Sequence, residues 1–113
     1  IFLVNTGWSG SSATSGSSRI DLKLTRHIIK LITDGNLDFS SSVRDKFFNL
    51  EIPMNLDGLD NNFLVPHKSW RDIEEYYNTG NMLTGLFNTN FNKFDIDDKN
   101  LINAGPKAQS GGN

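Results

Sequence analysis

Ten consecutive residues, Ser9 to Ser18, are Ser, Gly, Ala or Thr and nothing larger. Such a run offers no side chain worth burying, so it has to lie at a surface as a loop and cannot anchor a core. Before it, Ile1 to Val4 is apolar and reads as the end of a strand, which Asn5, Thr6 and Gly7 break. Trp8 then supplies a large flat side chain at the turn. After the run come Arg19, Ile20 and a helix start at Asp21. Strand, small-residue loop, basic residue and helix start is the layout of a ligand-facing edge in an α/β sheet.

The rest of the chain is read against that edge. Leu24, Ile28, Leu31 and Ile32 fall at helical spacing, with Asp21 as N-cap and Asp34-Gly35-Asn36 as the stop. Residues 36 to 46 read as polar connection anchored by Leu37 and Phe39, with Ser40 to Ser42 as solvated loop. Phe48, Leu50 and Ile52 alternate with Asn49 and Glu51, which predicts a strand over 47–53 ended by Pro53. Met54 to Pro66 reads as an irregular segment whose Leu56, Leu59, Phe63, Leu64 and Val65 lie over an apolar surface. Ser69-Trp70-Arg71-Asp72 resembles a capping box and predicts a second long helix from Trp70 to Lys93. Its stripe is Ile73, Tyr77, Leu83, Phe87, Phe91 and Phe94, and Gly80 and Gly85 each weaken it by about 1 kcal/mol relative to Ala. Lys99 to Asn103 predicts one further helical turn. The fold class is thus α/β, short strands plus two main helices. Residues 1–107 form the structured part and 108–113 a small, polar, flexible tail.

Length allows one small domain: 113 residues with a formal net charge of −2. Eleven basic against 13 acidic residues leave no electrostatic footprint for nucleic acid or an anionic membrane. No apolar run approaches a membrane span. The chain has no cysteine, which excludes disulfides and thiolate metal sites. An opening inside a strand points to a piece of a larger fold, with a complete small protein carrying an edge strand as the alternative. The chain is then not a complete fold alone, and other protein chains are its partners.

Few residues offer chemistry. The two histidines, His27 and His67, have no second histidine or carboxylate at metal-ligand spacing and read as structural or solvent-exposed. Asp95, Asp97 and Asp98 lack the Gly and the closing Glu of a calcium loop and read as a solvated helix end. Tyr76, Tyr77, Phe87, Phe91 and Phe94, at helical spacing, read as core. The loop contains neither GxxxxGK[ST] nor GxGxxG, so it is no phosphate cradle. On composition it is a flexible linker. Its flanks argue otherwise, because an Arg and a branched aliphatic at a helix entrance can sandwich a purine. Arg19 and Ile20 are those residues, and Thr25 offers a hydroxyl one turn on.

At these positions the sequence resembles the ATP-dependent phosphoenolpyruvate carboxykinase family, at its C-terminal end. NTGWSG (Asn5 to Gly10), the small-residue loop (Ser11 to Ser18) and the helix entrance (Arg19 to Arg26) are similar to the family's motifs in order. HIIKLITDGNLD (His27 to Asp38), FNLEIP (Phe48 to Pro53), LVPHKSW (Leu64 to Trp70), LFNTNFNKF (Leu86 to Phe94) and AGPK (Ala104 to Lys107) extend the likeness along nearly the whole chain. Members usually carry glycines and a Tyr where this chain has Ser11, Ser12 and Ala13, often a Lys at Ser18, and Arg-Asn at His67-Lys68.

The resemblance implies a fragment of a C-terminal mononucleotide-binding domain. The whole enzyme converts oxaloacetate and ATP to phosphoenolpyruvate, ADP and carbon dioxide with Mg or Mn, in gluconeogenesis. It implies that Arg19, Ile20 and Thr25 contact the nucleotide base and sugar. The P-loop, metal ligands and oxaloacetate-binding arginine belong to a part of the enzyme not matched here, so this chain alone is expected to be inactive. Its partner is then the remainder of the carboxykinase, in a soluble intracellular compartment, cytoplasm or an organelle matrix. The alternative is a non-catalytic, carboxykinase-derived subunit of a larger complex. A free-standing nucleotide-binding module is the third reading.

Overall fold

Helix α1, Leu22–Thr33, has both ends fixed by local chemistry. The Asp21 carboxylate accepts from the Lys23 N–H at 3.0 Å, satisfying one amide of the first turn. At the other end Gly35 takes a φ of +70° and Asn36 N–H donates to the Leu31 carbonyl at 2.9 Å. Leu24, Ile28, Leu31 and Ile32 are all partly covered, so the predicted stripe is the docked face. This computed structural model describes residues 1–12 and 16–111. Ala13, Thr14 and Ser15 of the small-residue loop, and Gly112 and Asn113 of the tail, lie outside them.

Two antiparallel hairpin sheets flank α1 in sequence. In the first, β1 (Trp8–Ser9) pairs with β2 (Ser18–Arg19), Trp8 opposite Arg19 and Ser9 opposite Ser18. In the second, β3 (Ser42–Arg44) pairs with β4 (Glu51–Pro53), Val43 opposite Ile52. The strand predicted over 47–53 is therefore only its last three residues. Asn49 takes a φ of 57° and its N–H donates to the Asp45 carbonyl at 3.0 Å, which folds the first half into a turn. β3 lies in the segment 36–46 that reads as polar connection, and its first residue, Ser42, is the last of the serines that read as solvated loop. Ile1 to Val4 is corrected as well. It is exposed and forms no strand, because no described residue pairs with it in a sheet.

The long segment after β4 carries two single turns, α2 (Asn61–Leu64) and α3 (Pro66–Ser69). α2 is capped by the Asp60 carboxylate, and Leu56 and Val65 beside these turns are buried as expected. The main helix α4 is Ile73–Phe91, not Trp70 to Lys93. Asp72 is its N-cap and accepts from Glu74 N–H at 2.9 Å and Glu75 N–H at 3.1 Å. Ser69 belongs to the preceding turn and its hydroxyl donates to the Pro66 carbonyl at 2.8 Å. A short 3-10 turn (Asn92–Phe94) and α5 (Lys99–Ala104, capped by Asp98) follow.

The centre of the molecule is Phe47, 2% exposed. Its ring meets Tyr76 at 5.5 Å and Tyr77 at 5.7 Å, and Tyr76 also meets Trp70 at 5.6 Å and His67 at 6.2 Å. The row of α4 facing inward is Tyr76, Gly80 and Thr84, spaced four apart. The predicted stripe is rotated from it: Ile73, Leu83, Phe87 and Phe94 are exposed, and only Tyr77 and Phe91 are partly covered. Gly80 is where the ring of Phe47 enters. A Cβ there would stand 2.5 Å from Phe47 Cζ. The C-terminal segment closes over this core. Lys107 N–H donates to the Phe47 carbonyl at 2.7 Å, Gln109 exchanges two bonds with Asn81, and Gln109 Nε2 donates to the Lys46 carbonyl.

The molecule exposes 8342 Å². A compact monomer of this mass, 12.6 kDa, exposes about 6,200 Å². The Cα radius of gyration, 15.3 Å, is likewise above the roughly 13 Å of a compact chain this long. Among the described residues no helix is long and apolar enough to cross a membrane.

Candidate functional site

The first hairpin is built by its own side chains. Asn5 Oδ1 accepts from Gly7 N–H at 2.7 Å, turning the chain, and the Gly7 carbonyl accepts from Ile20 N–H at 2.9 Å. Those bonds fix the register that sets Trp8 across from Arg19. The Arg19 guanidinium carbon then lies 5.5 Å from the centroid of the Trp8 ring. The far end of the hairpin is tied to the α3–α4 connection, where Arg71 N–H reaches the Gly10 carbonyl at 3.4 Å. Gly10 has a φ of +90°, and a Cβ on it would sit 3.2 Å from the Ser69 carbonyl oxygen. Glycine is what allows this approach.

Between hairpin, helix entrance and this connection lies a cleft of about 450 Å³. That lies within the usual range for small-molecule sites. Its walls are Ser9 to Ser11 and Gly16 to Ser18 of the hairpin, Arg19, Ile20 and Asp21 at the entrance to α1, and Phe63, Ser69, Arg71 and Glu75 opposite. Two of the three sequence-predicted residues, Arg19 and Ile20, line it together. Thr25 does not. It is 5% exposed, and its hydroxyl donates to the Asp21 carbonyl at 3.3 Å inside the helix. Arg71, Phe63 and Glu75 are the wall that sequence reasoning missed. Arg71 was legible only as part of a helix cap, and nothing local says that it returns to the hairpin.

The cleft's electrostatics are mixed. Arg19 and Arg71 face it from two sides, and Asp21 and Glu75 line it as well. Asp21 is committed to the α1 amide. The arrangement offers a planar cation, an aliphatic edge, an aromatic ring from Phe63 and several hydroxyls, the groups that hold a flat polar heterocycle rather than a metal ion. Among the described residues no group of three His, Cys, Asp or Glu could hold a metal. His27 Nε2–H donates to the Asp57 carbonyl at 2.6 Å, and the exposed His67 ring lies tilted 6.2 Å from that of Tyr76.

A second cavity, about 260 Å³, lies over the core between the second hairpin, α3 and Tyr76–Tyr77. Burial, the Asp45 carboxylate and Tyr77 together push the Tyr76 hydroxyl up to about 12. It stays a neutral donor at physiological pH.

Helices with two short antiparallel sheets, one rimming a polar cleft at a helix entrance, make this a small α/β unit. The family model for phosphoenolpyruvate carboxykinase matches residues 1–62, more than half of it. The chain belongs to the phosphoenolpyruvate carboxykinase family. It is 40% identical over 107 residues to a phosphoenolpyruvate carboxykinase (ATP) of Caldanaerobacter subterraneus subsp. tengcongensis, covering 95% of this chain and 20% of that protein. It is 36% identical over 108 residues to the Fusobacterium nucleatum protein of the same name and 38% over 109 to that of Novosphingobium aromaticivorans. In both cases 95% of this chain and 20% of the relative are covered. The chain thus spans about a fifth of the length of these relatives.

Proposed function

We propose that residues 1–107 form the C-terminal part of a carboxykinase mononucleotide-binding domain and supply the adenine-side wall of its ATP site, with Gln109 of the short segment that follows hydrogen-bonded back to that part. The single observation that carries this reading is that Arg19 and Ile20, one a planar cation and the other a branched aliphatic, line one cleft at the entrance of α1. The guanidinium stacks on one face of the purine and Ile20 covers the other side. Thr25, buried beneath, supports the helix entrance on which both stand and contacts the sugar only if its hydroxyl leaves the Asp21 carbonyl.

In the reaction of such an enzyme, oxaloacetate and ATP become phosphoenolpyruvate, ADP and carbon dioxide, with Mg or Mn held by residues outside this chain. What this chain contributes is orientation of the base and exclusion of water from one side of it. Its surplus of about 2,000 Å² of exposed surface, with Ile1 to Val4 and the outer face of α4 the apolar parts, supports docking against the remainder of a carboxykinase. Titration calorimetry with ATP, on the chain together with the chains it assembles with, tests the reading. Wild type binds, and Arg19→Ala weakens binding by about tenfold, the usual cost of one lost base-stacking partner. Binding indifferent to Arg19→Ala refutes it.

The same surplus of apolar surface favours one second reading, a non-catalytic carboxykinase-derived subunit held by partner chains. It expects no ATP binding by the assembled complex.

A further inference from the structure

Trp8 has no role in the purine sandwich as described, yet the whole hairpin is arranged around it. Asn5 turns the chain at Gly7, a position where a Cβ would come within 2.8 Å of Asn5 Oδ1. Gly7 and Ile20 close the backbone bond, and the register then sets Trp8 opposite Arg19. The indole is 46% exposed, so it fills no core among the described residues. Arg19 lines the cleft and Trp8 does not, so Arg19 is the residue that links the indole to the cleft. Among the described residues Arg19 has no ion-pair partner. The ring of Trp8 is therefore the group that orients it.

We infer that Trp8 is a positioning residue for the nucleotide: a backing plate that holds the Arg19 guanidinium by one face so that the other is presented to the purine. This rests on the nucleotide reading of the cleft. An arginine on a flexible stem loses side-chain entropy when it stacks on a ligand. An arginine already seated on an indole has lost most of that freedom beforehand, so more of the stacking free energy appears as affinity. Trp8 acts only through Arg19 and touches no nucleotide. A Phe in its place keeps a π face for the cation; an Ala does not.

The test is ATP titration of the chain, with the chains that assemble with it, as wild type, Trp8→Ala, Trp8→Phe, Arg19→Ala and the Trp8→Ala/Arg19→Ala double variant. Melting temperatures check that the exposed substitutions leave the fold intact. Trp8→Ala is expected to weaken binding about three- to fivefold, the range of an exposed cation–π contact. Trp8→Phe restores most of it, and the double variant binds no worse than Arg19→Ala alone. A merely structural role for Trp8 does not produce that loss of effect in the Arg19→Ala background. Full affinity in Trp8→Ala, with Arg19→Ala weakened, overturns the inference and leaves the nucleotide reading standing. So does an additive double variant. No binding by wild type, or binding indifferent to Arg19, overturns both.

Discussion

Gly80→Ala separates helix propensity from packing more sharply than any other single change in this chain. By propensity alone, an Ala in the middle of α4 stabilises the helix by about 1 kcal/mol. In the fold, the added Cβ would lie 2.5, 2.6 and 2.8 Å from three ring atoms of Phe47. Ordinary contact is roughly an ångström longer. The ring is 2% exposed and packed against Tyr76 and Tyr77, and its own carbonyl is held by Lys107 N–H, so it yields only toward the cavity beside the two tyrosines. Overpacking of this kind costs about 1–3 kcal/mol, and the upper end applies where the neighbour is locked. Net of propensity, the loss is about 2 kcal/mol, or a fall in Tm of roughly 8 °C for a chain this size. Gly85→Ala is the internal control, because a Cβ there meets nothing within 4 Å. It should raise Tm by about 4 °C. Thermal unfolding of the two variants followed by circular dichroism makes the comparison, and adding Phe47→Leu to Gly80→Ala should recover part of the loss. If Gly80→Ala raises Tm as Gly85→Ala does, the account of the core is refuted.

Two further outcomes follow from the caps and the titratable core. Asp72→Ala removes the acceptor for two α4 amides and should cost about 1–2 kcal/mol in urea unfolding, while Ser69→Ala, whose hydroxyl serves only an exposed turn, should change little. Tyr76, raised from 10.0 to about 12, keeps its proton in the folded chain after the unfolded chain has released it. Its contribution is therefore complete below pH 10 and declines as pH rises from about 10 to about 12. The urea midpoint of the wild type should fall over that window, and Tyr76→Phe should remove that part of the fall.

What the sequence made legible was local. Both ends of α1 depend on Asp21, Gly35 and neighbours within a few residues, and both stand where the pattern puts them. The start of α4 was misplaced because Ser69-x-x-Asp72 offers two candidate caps. Only the extended backbone of Trp70 and Asp72 shows that the chain leaves one turn before entering the next. The second hairpin was hidden because β3 is polar on its first residue and short, so its strand character comes from β4 nine residues on. Phe47 lies at the edge of the alternating run, and nothing in that run marks it as the core residue. Its burial comes from Gly80, 33 positions away, which the sequence presents only as a weak point in a helix. At the candidate site, the Arg19–Ile20 pair was readable from its position between loop and helix. The opposite wall was not, since Arg71 reaches Gly10 across most of the chain.

Gln109 bonds to Lys46 across 63 residues and to Asn81 across 28, and Lys107 closes on the Phe47 carbonyl. During synthesis, α1 and the first hairpin can form as soon as they emerge, because their partners are near in sequence. The aromatic centre cannot be sealed until residues 107 to 109 have left the ribosome, however early Phe47 itself appears. Loop closure of that span is unfavourable until α4 has brought its ends together. The nascent chain therefore carries an incompletely covered aromatic cluster from the emergence of Phe47 until that of Gln109, and that interval is when the cluster is most exposed to chaperones and to self-association.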